Sequence, residues 1–434
     1  MSGLAEILID RGFFVFGSDT NESHLVSHLR SLGAKINIGQ KKENIDRQFD
    51  LIVYTSAIKP NNEEYKAAIK SGVPVIDRAA LLGAVMKAYK YSVAVAGTHG
   101  KTTTTSMLTH VLLACGCDPT VSLGGELASI GGNIRVGKSE YFVCEACEYH
   151  QSFLKFFPFI SVVLNVEEDH LDYFRDLSHI IETFRSFASL PPEDGAVVAN
   201  FDDENVRKAV KGANCSVITC SKEGKADYFA DNISFNCMGY GEFDIYEFGK
   251  LLGRVRLSVA GAHNVLNATC AVATARYLGL PFSSIAKGLV AYTGVSRRFE
   301  KKGEKNGVLV IDDYAHHPTE IEATLKTAKG LDVKDIYCVF QPHTYTRTKS
   351  LYPDFVTALS CGVKPVLIDI YAAREKDTGI VSSRELACAI EGAVYIDSFE
   401  KCAEYLRQNT KQGDLIITMG AGDVYKIGEM FLDI

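Results

Sequence analysis

The apolar run Ser92-Val-Ala-Val-Ala-Gly97 empties into Thr-His-Gly-Lys-Thr102, residues whose types and spacing suit them to hold phosphate. With no side chain at Gly97 and Gly100 the backbone can curl until successive N–H groups point inward, and a helix beginning near Lys101 adds the positive end of its dipole. Lys101 is then placed to neutralise β- and γ-phosphates, and the Thr102 hydroxyl to ligate Mg²⁺. Only two residues separate the glycines, so the loop is shorter than the commonest phosphate loop. A strand before it and a helix over 103–114 supply the context such a loop needs, and together they predict ATP binding.

Other chemistry-bearing residues follow apolar runs in the same way. Glu145 stands two residues past a strand expected over 141–143, at the carboxyl end where parallel sheets expose their ligand-facing crevice, and can hold a metal there. Asn165-Val-Glu-Glu-Asp-His-Leu-Asp172 packs four carboxylates and His170 into eight residues, a donor set suited to Mg²⁺ or Mn²⁺ bridging nucleotide phosphates. The plainer reading, an acidic helix N-terminus satisfying its own dipole, is expected for Glu167 or Glu168 but not for His170. His263 and Asn264 open an alanine-rich helix with Asn267 on the same face. The asparagine amides match an adenine edge, and an Asn N-cap on a core helix accounts for the pattern equally well. Arg297 and Arg298 fall at a domain junction where planar cations can reach phosphate oxygens on closure. Asp312-Asp-Tyr-Ala-His-His-Pro318 and Gln341-Pro-His-Thr-Tyr-Thr-Arg-Thr348 each follow a further strand. Surface salt bridges explain any one of these groups, but three strand ends aiming His, Arg and Asp at one cleft point to a site.

The elements that position these residues alternate strand with helix, which implies α/β architecture with mostly parallel sheets. The 434 residues predict two to four domains, and the pattern along the chain divides them into three. Residues 1–88 read as a Rossmann-like unit, 89–295 as a phosphate-loop ATPase-like domain, and 296–434 as a second Rossmann-like domain. Buried strands are expected over 13–17 and 51–54, with a helix over 21–32 between them. The chain opens with a helix over 2–11 where such a fold should open with a strand and glycine-rich turn, so the first strand reads as missing. A hairpin turn is expected over 303–307.

Composition removes several classes. Lys plus Arg number 46 against 53 Asp plus Glu, and the net charge of −7 offers no general attraction to nucleic acid or anionic lipid. The first residues lack the basic head of a secretory signal, and no apolar run is long enough to span a bilayer. The 12 cysteines show no disulfide spacing. Cys144-Glu-Ala-Cys147 is the one C-x-x-C and has no partner pair, so neither a zinc site nor redox chemistry is expected. A soluble cytoplasmic protein is expected.

Taken in order, Gly97-Thr-His-Gly-Lys-Thr-Thr103, the 165–172 segment, His263-Asn264 with Asn267, Arg297-Arg-Phe299, the 312–318 block, Phe340-Gln-Pro-His343 with Tyr345-Thr-Arg-Thr348, and Tyr371-Ala-Ala373 resemble the Mur ligase superfamily, in its alanine-adding branch. The resemblance implies a bacterial enzyme of peptidoglycan precursor synthesis. In it ATP phosphorylates the lactyl carboxylate of UDP-N-acetylmuramate, and the amine of L-alanine attacks the acyl phosphate. It implies catalytic roles for Lys101, Glu145, His170, Arg298, His317 and Arg347, and metal at Thr102, Glu145 and His170. ATP would be held by Gly97, Thr98, His99, Gly100, Lys101, Thr102, Thr103, His263, Asn264, Asn267, Arg298 and Asp313. Ser56, Ala57, Ile58, Gly124, Gly125, Asn133, His316, His343 and Arg347 would face the substrates. No Lys occurs between Leu171 and Ser189, where several siblings place a carbamylated metal-binding lysine.

Two departures stand out: Thr344 replaces an arginine usual in this block, leaving Arg347 or Arg374 to anchor carboxylates, and the glycine-rich loop that cradles the UDP diphosphate is absent. A monomer or homodimer that opens and closes at hinges over 88–91 and 294–297 is expected. A related ligase that attaches a recycled peptide, and a nucleotide-binding module without catalysis, are the alternatives.

Overall fold

Fully apolar strands flanked by helices have no face left for water, so they are driven to the middle of a parallel sheet covered on both sides. The computed structural model describes residues 1–434 apart from Arg47, Asp172, Lys225 and Arg374. The expected Arg374 anchor and the last residue of the 165–172 segment therefore lie outside the described residues. Among the described residues twenty strands form the sheets. Those of the amino-terminal part are β1 (Phe16–Asp19), β2 (Lys35–Ile38), β3 (Ile52–Tyr54) and β4 (Val75–Asp77). The middle part contributes β5 (Tyr91–Ala96), β6 (Thr120–Leu127), β7 (Gly132–Arg135), β8 (Tyr141–Glu145), β9 (Ile160–Val163), β10 (Ala196–Asn200), β11 (Ser216–Ser221), β12 (Tyr228–Phe235), β13 (Tyr240–Glu247) and β14 (Lys250–Ala260). The last part has β15 (Glu300–Lys305), β16 (Val308–Asp313), β17 (Ile336–Phe340), β18 (Lys364–Leu367), β19 (Val394–Tyr395) and β20 (Leu415–Met419).

The middle sheet runs β14-β13-β12-β11-β10-β9-β5-β8-β6-β7, parallel from β12 through β6 and antiparallel at both edges. One face is covered by the helices Lys101–Ala114 and His263–Tyr277, which bury Met107, Leu108, Val111, Leu112 and Val272. The other carries Phe153, Phe184 and Phe187, the first and last of them stacked at 4.5 Å. The antiparallel edge β12–β14 departs from the parallel expectation. In β13, Gly241, Phe243 and Ile245 are buried between more exposed neighbours, and that period of two marks a strand with one wet face.

Several strand limits differ from expectation, and the differences matter for the site. β8 continues through Glu145, so that carboxylate is the strand's last residue rather than two beyond it. β16 likewise continues through Asp312 and Asp313. Near the start, β1 covers 16–19 rather than 13–17, because Phe13 and Phe14 find no cover and are 60% and 94% exposed. β1 pairs only with β2, and β3 only with β4, both in parallel, giving two separate two-stranded sheets.

The last sheet has the order β15-β16-β20-β17-β18-β19, parallel except at the β15–β16 hairpin. That hairpin turns on Asn306 and Gly307 at φ 53° and 73°, a tighter turn than the 303–307 stretch. The carboxyl ends of β5, β8 and β9 and those of β16 and β17 lead into the loops that face one another across the cleft. Among the described residues no helix is long and apolar enough to cross a membrane.

Candidate active site

Positive φ at Gly97 (150°) and Gly100 (82°) lets the loop after β5 curl back on itself. Its curl is pinned by Asn165, two residues past the end of β9: the His99 N–H donates to Asn165 Oδ1 at 2.7 Å, and Asn165 Nδ2 donates to the His99 carbonyl at 3.1 Å. A Cβ at Gly100 would sit 2.9 Å from Asn267 Oδ1 and 3.3 Å from Leu164 Cδ1. Gly100→Ala is therefore expected to cost about 1–2 kcal/mol from the left-handed backbone alone, and to lose most of the stabilisation that ADP confers. Thermal unfolding with and without ADP checks both.

The Lys101 ammonium folds over this loop, donating to the carbonyls of Gly97 and Thr98 at 2.5 and 3.0 Å, and pairs with the buried Glu148 at 3.2 Å. Thr102 Oγ1 donates to Glu145 Oε2 at 3.0 Å, and the Gly124 N–H donates to Glu145 Oε1 at 2.6 Å. Burial pushes the Glu145 carboxyl above its ordinary range, although Gly124, Thr102 and Lys101 all favour its charged form. Beside this pair, Glu148, Asp169 and His170 each offer a ligand atom, all within 4.8 Å of one another. Carboxylate and hydroxyl oxygens with one imidazole are the donor set of Mg²⁺ or Mn²⁺, so the residues present fit such an ion at both places.

A cavity of about 560 Å³ opens between the two larger domains, lined by His99, Asn264, Asn267, Arg298, Asp313 and Glu320 among others. Asn264 Nδ2 donates to the Ala260 carbonyl and Asn267 Nδ2 to Asn264 Oδ1, at 2.7 and 3.0 Å. Neither amide caps the helix His263–Tyr277, which has no side-chain cap. Asp313 accepts the N–H groups of Phe299 and Ala315 at 2.9 and 2.7 Å, and burial lifts its carboxyl to about 6. The two arginines expected at phosphate separate. Arg297 is spent inside its own domain on Asp312 (3.0 Å) and the Gly420 carbonyl (2.7 Å), whereas Arg298 lines the cavity and lies 3.6 Å from Glu320.

The last domain reaches the middle one through polar contacts of several kinds. Arg347 Nη2 binds Asp169 Oδ1 at 2.7 Å while its Nη1 meets His343 Nδ1 at 2.8 Å. His317 is the N-cap of the helix Pro318–Lys329, and its Nε2 lies 3.2 Å from the Glu168 carbonyl oxygen. His99 Nδ1 lies 3.1 Å from Glu320, and Thr319 Oγ1 donates to Glu167 at 2.7 Å. Glu167 and Glu168 thus do not begin a helix. The next one starts at Leu177 and is capped by Asp176, leaving the Glu167 carboxylate and the Glu168 main-chain carbonyl to contact the opposite domain. His316 is held by the Tyr314 carbonyl at 2.9 Å, and burial lowers its imidazole to about 4. Ser56 and Ala57 are exposed in the turn after β3, and Asn133 is exposed in β7. With Ile58, they make no hydrogen bond or ion pair to this cluster among the described residues. Thr98, Thr103, Gly124 and Gly125 lie around the loop itself, Gly125 packed against Thr102 and Val295.

Burial opposes charge on His99, yet Glu320 and Glu167 outweigh it and hold the imidazole up at about 9, above its ordinary 6.5. A raised folded value means the contact stabilises fully below pH 6.5 and is lost as pH rises through about 9. Asp169 is the opposite case. Burial raises its carboxyl but His170 and Arg347 overrule it, holding it well below 3.8, so its contribution is present above 3.8 and fades only in stronger acid. The thermal midpoint of the free chain is expected to fall as pH rises from 6.5 to about 9, and His99→Gln to flatten that fall.

Glu148 and Glu320 were not among the residues expected from sequence, and Asp169 and Arg347, each expected separately, were not expected to meet. Glu148 could have been found as an acid three residues after Glu145, and Glu320 as the third residue after the cap in His317-Pro-Thr-Glu320, a capping-box pattern.

This fold and cleft define a phosphate-loop nucleotide-binding protein built of α/β domains. The chain belongs to the Mur ligase family: residues 1–90 match the Mur ligase family catalytic domain, 95–275 the Mur ligase middle domain, and 297–422 the Mur ligase glutamate ligase domain. It is 50% identical over 437 aligned residues to the UDP-N-acetylmuramate–L-alanine ligase of Caldanaerobacter subterraneus subsp. tengcongensis, a match covering all of this chain and 95% of the relative. The ligase of the same name from Acetivibrio thermocellus is 52% identical, with 100% and 93% covered. Among solved structures, the UDP-N-acetylmuramate–alanine ligase of Thermotoga maritima superposes with a TM-score of 0.82 at 27% identity, covering 100% of this chain and 96% of that one.

Proposed function

We propose that the chain joins L-alanine to the lactyl carboxylate of UDP-N-acetylmuramate, consuming ATP and releasing ADP and phosphate, in peptidoglycan precursor synthesis. One observation carries the reading: His99, Gly100 and Thr103 of the phosphate loop face Arg298, Asp313 and Glu320 of a second domain across one cavity, and Arg347 of that domain binds Asp169 at 2.7 Å. Relatives about half identical over the whole chain, all named for this reaction, support it.

Transfer of phosphate between two anions needs dense positive charge and tight alignment. Lys101 gives up its loop carbonyls to meet the β- and γ-phosphates, and Arg298 meets the transferring group from the opposite domain. Asn264 and Asn267 face the adenine, with Asp313 seating the nucleotide from the last domain. His316, His317, His343 and Arg347 line the side on which the carboxylates of the sugar acid and alanine are held. Thr102 with Glu145, and His170 with Asp169 and Glu148, would hold divalent ions. Bound there, Mg²⁺ or Mn²⁺ supplies electrophilic stabilisation of phosphate oxygens. Ser56, Ala57, Ile58, Gly124, Gly125 and Asn133 face the UDP-sugar.

We place the three functional units at 1–88, 89–295 and 296–434, with closure at 88–91 and 294–297, where Gly294 and Arg297 have φ of 114° and 63°. We place the protein, as a monomer or homodimer, in the bacterial cytoplasm. Phosphate release tests the reaction, with ATP, Mg²⁺ and UDP-N-acetylmuramate offered L-alanine, L-serine, glycine or the recycled tripeptide. Release that requires the sugar acid and is fastest with L-alanine is the expected result, and a preference for the tripeptide would reassign the chain.

A further inference from the structure

We propose that His99 is a positioning residue that couples the phosphate loop to the last domain, so that nucleotide binding and domain closure favour each other. The inference deepens the ligase reading and rests on it only for the identity of the substrates.

His99 sits inside the loop, between Gly97 and Gly100, yet its ring is turned away from the loop's own backbone. Nδ1 lies 3.1 Å from Glu320 Oε1 on the helix Pro318–Lys329, Nε2 lies 3.4 Å from Glu167 Oε2, and the ring packs on His317 at 4.9 Å between centroids. Its backbone is meanwhile clamped on both sides by Asn165. A residue with its main chain fixed in the phosphate seat and its side chain fixed to the other domain transmits displacement between them.

Glu320 makes the link specific. Besides His99 it meets Arg298 Nη1 at 3.6 Å and His316 Nδ1 at 3.5 Å, and it accepts the N–H groups of His316 and His317 at 3.1 and 3.3 Å. Its carboxylate therefore gathers one cation from the phosphate loop, one from the domain junction and one ring from the last domain. When the last domain swings away, Glu320 goes with it. His99 then keeps only Glu167, and the loop loses its lateral support. Because coupling is reciprocal, a nucleotide that orders the loop must strengthen the His99–Glu320 contact by as much as the contact strengthens nucleotide binding.

A double-mutant cycle on the full chain tests this, using ADP with Mg²⁺ as the probe and calorimetric affinity as the readout. His99→Gln and Glu320→Gln are each expected to weaken ADP by about 5- to 30-fold. The double variant is expected to fall within about threefold of the weaker single, because either change alone severs the link. The KM for ATP should rise in step with these losses. A double loss equal to the product of the two single losses would overturn the proposal, as would unchanged ADP affinity in either single variant. A parallel cycle with His99→Asn guards against misfolding of one variant, each being scored only if its circular dichroism matches the parent. Since ADP affinity needs no turnover, a chain inactive toward the sugar acid and alanine would undo the ligase reading and leave this result standing.

Discussion

Lys101→Met is expected to lower kcat/KM by about 10³-fold or more, the cost of removing a cation aimed at charge that develops in phosphoryl transfer. At 1.36 kcal/mol per decade this is about 4 kcal/mol of transition-state stabilisation. The same substitution has a second consequence that must be separated from the first. Glu148 is 3% exposed and has Lys101 at 3.2 Å, so methionine leaves a buried carboxylate without its nearest cation, with only the His170 ring at 3.9 Å beside it. Breaking such a pair destabilises by about 3–5 kcal/mol. Adding Glu148→Gln removes the stranded charge. The double variant should regain much of the lost thermal stability but none of the lost turnover. Recovery of activity along with stability would show that Lys101 acts on the fold rather than on phosphate.

Arg347→Lys is expected to lose about 10²-fold in kcat/KM, although the charge is kept. The guanidinium directs two nitrogens, Nε at 3.3 Å and Nη2 at 2.7 Å, to Asp169 Oδ1, and a third to His343 at 2.8 Å. An ammonium cannot reproduce that fork. Asp169 neighbours His170, so loosening the contact displaces the last domain relative to the groups that would hold metal, and misplacement of about an ångström is enough for a loss of this size. Asp169→Asn should produce a comparable fall, and steady-state kinetics on both variants checks it. Near-normal turnover in Arg347→Lys would mean that one point charge suffices and that alignment is set elsewhere.

How much of this was legible in the sequence depended on the range of the signal. The phosphate seat was readable because its causes are local: an apolar strand, two glycines that need φ of 150° and 82°, and a lysine at the first turn of a helix. β17 and β20 show the same local cause, since each wholly buried strand is a short, mostly apolar run in the sequence. Arg347 and Asp169 are 178 positions apart, and nothing short of the closed arrangement of domains says that they meet. The separation of Arg297 from Arg298 has the same origin. Adjacent side chains point apart, and only the sheet order that brings the loop after β20 alongside Arg297 decides which of them is used up internally. His317 carried two signals at once, a ring suited to catalysis and a helix-capping position. The capping pattern three residues ahead of Glu320 was the one written in the local sequence.

The central claim is that the carboxylate of the sugar acid is activated by phosphate before the amine attacks, and labelled oxygen tests it most directly. UDP-N-acetylmuramate carrying ¹⁸O in its lactyl carboxylate is turned over with ATP and L-alanine, and the phosphate released is weighed by mass spectrometry. The arrangement of Lys101, Arg298 and Arg347 around one cleft predicts one ¹⁸O in each phosphate formed and one retained in the new amide. Unlabelled phosphate, formed at the same rate as the amide, would contradict it.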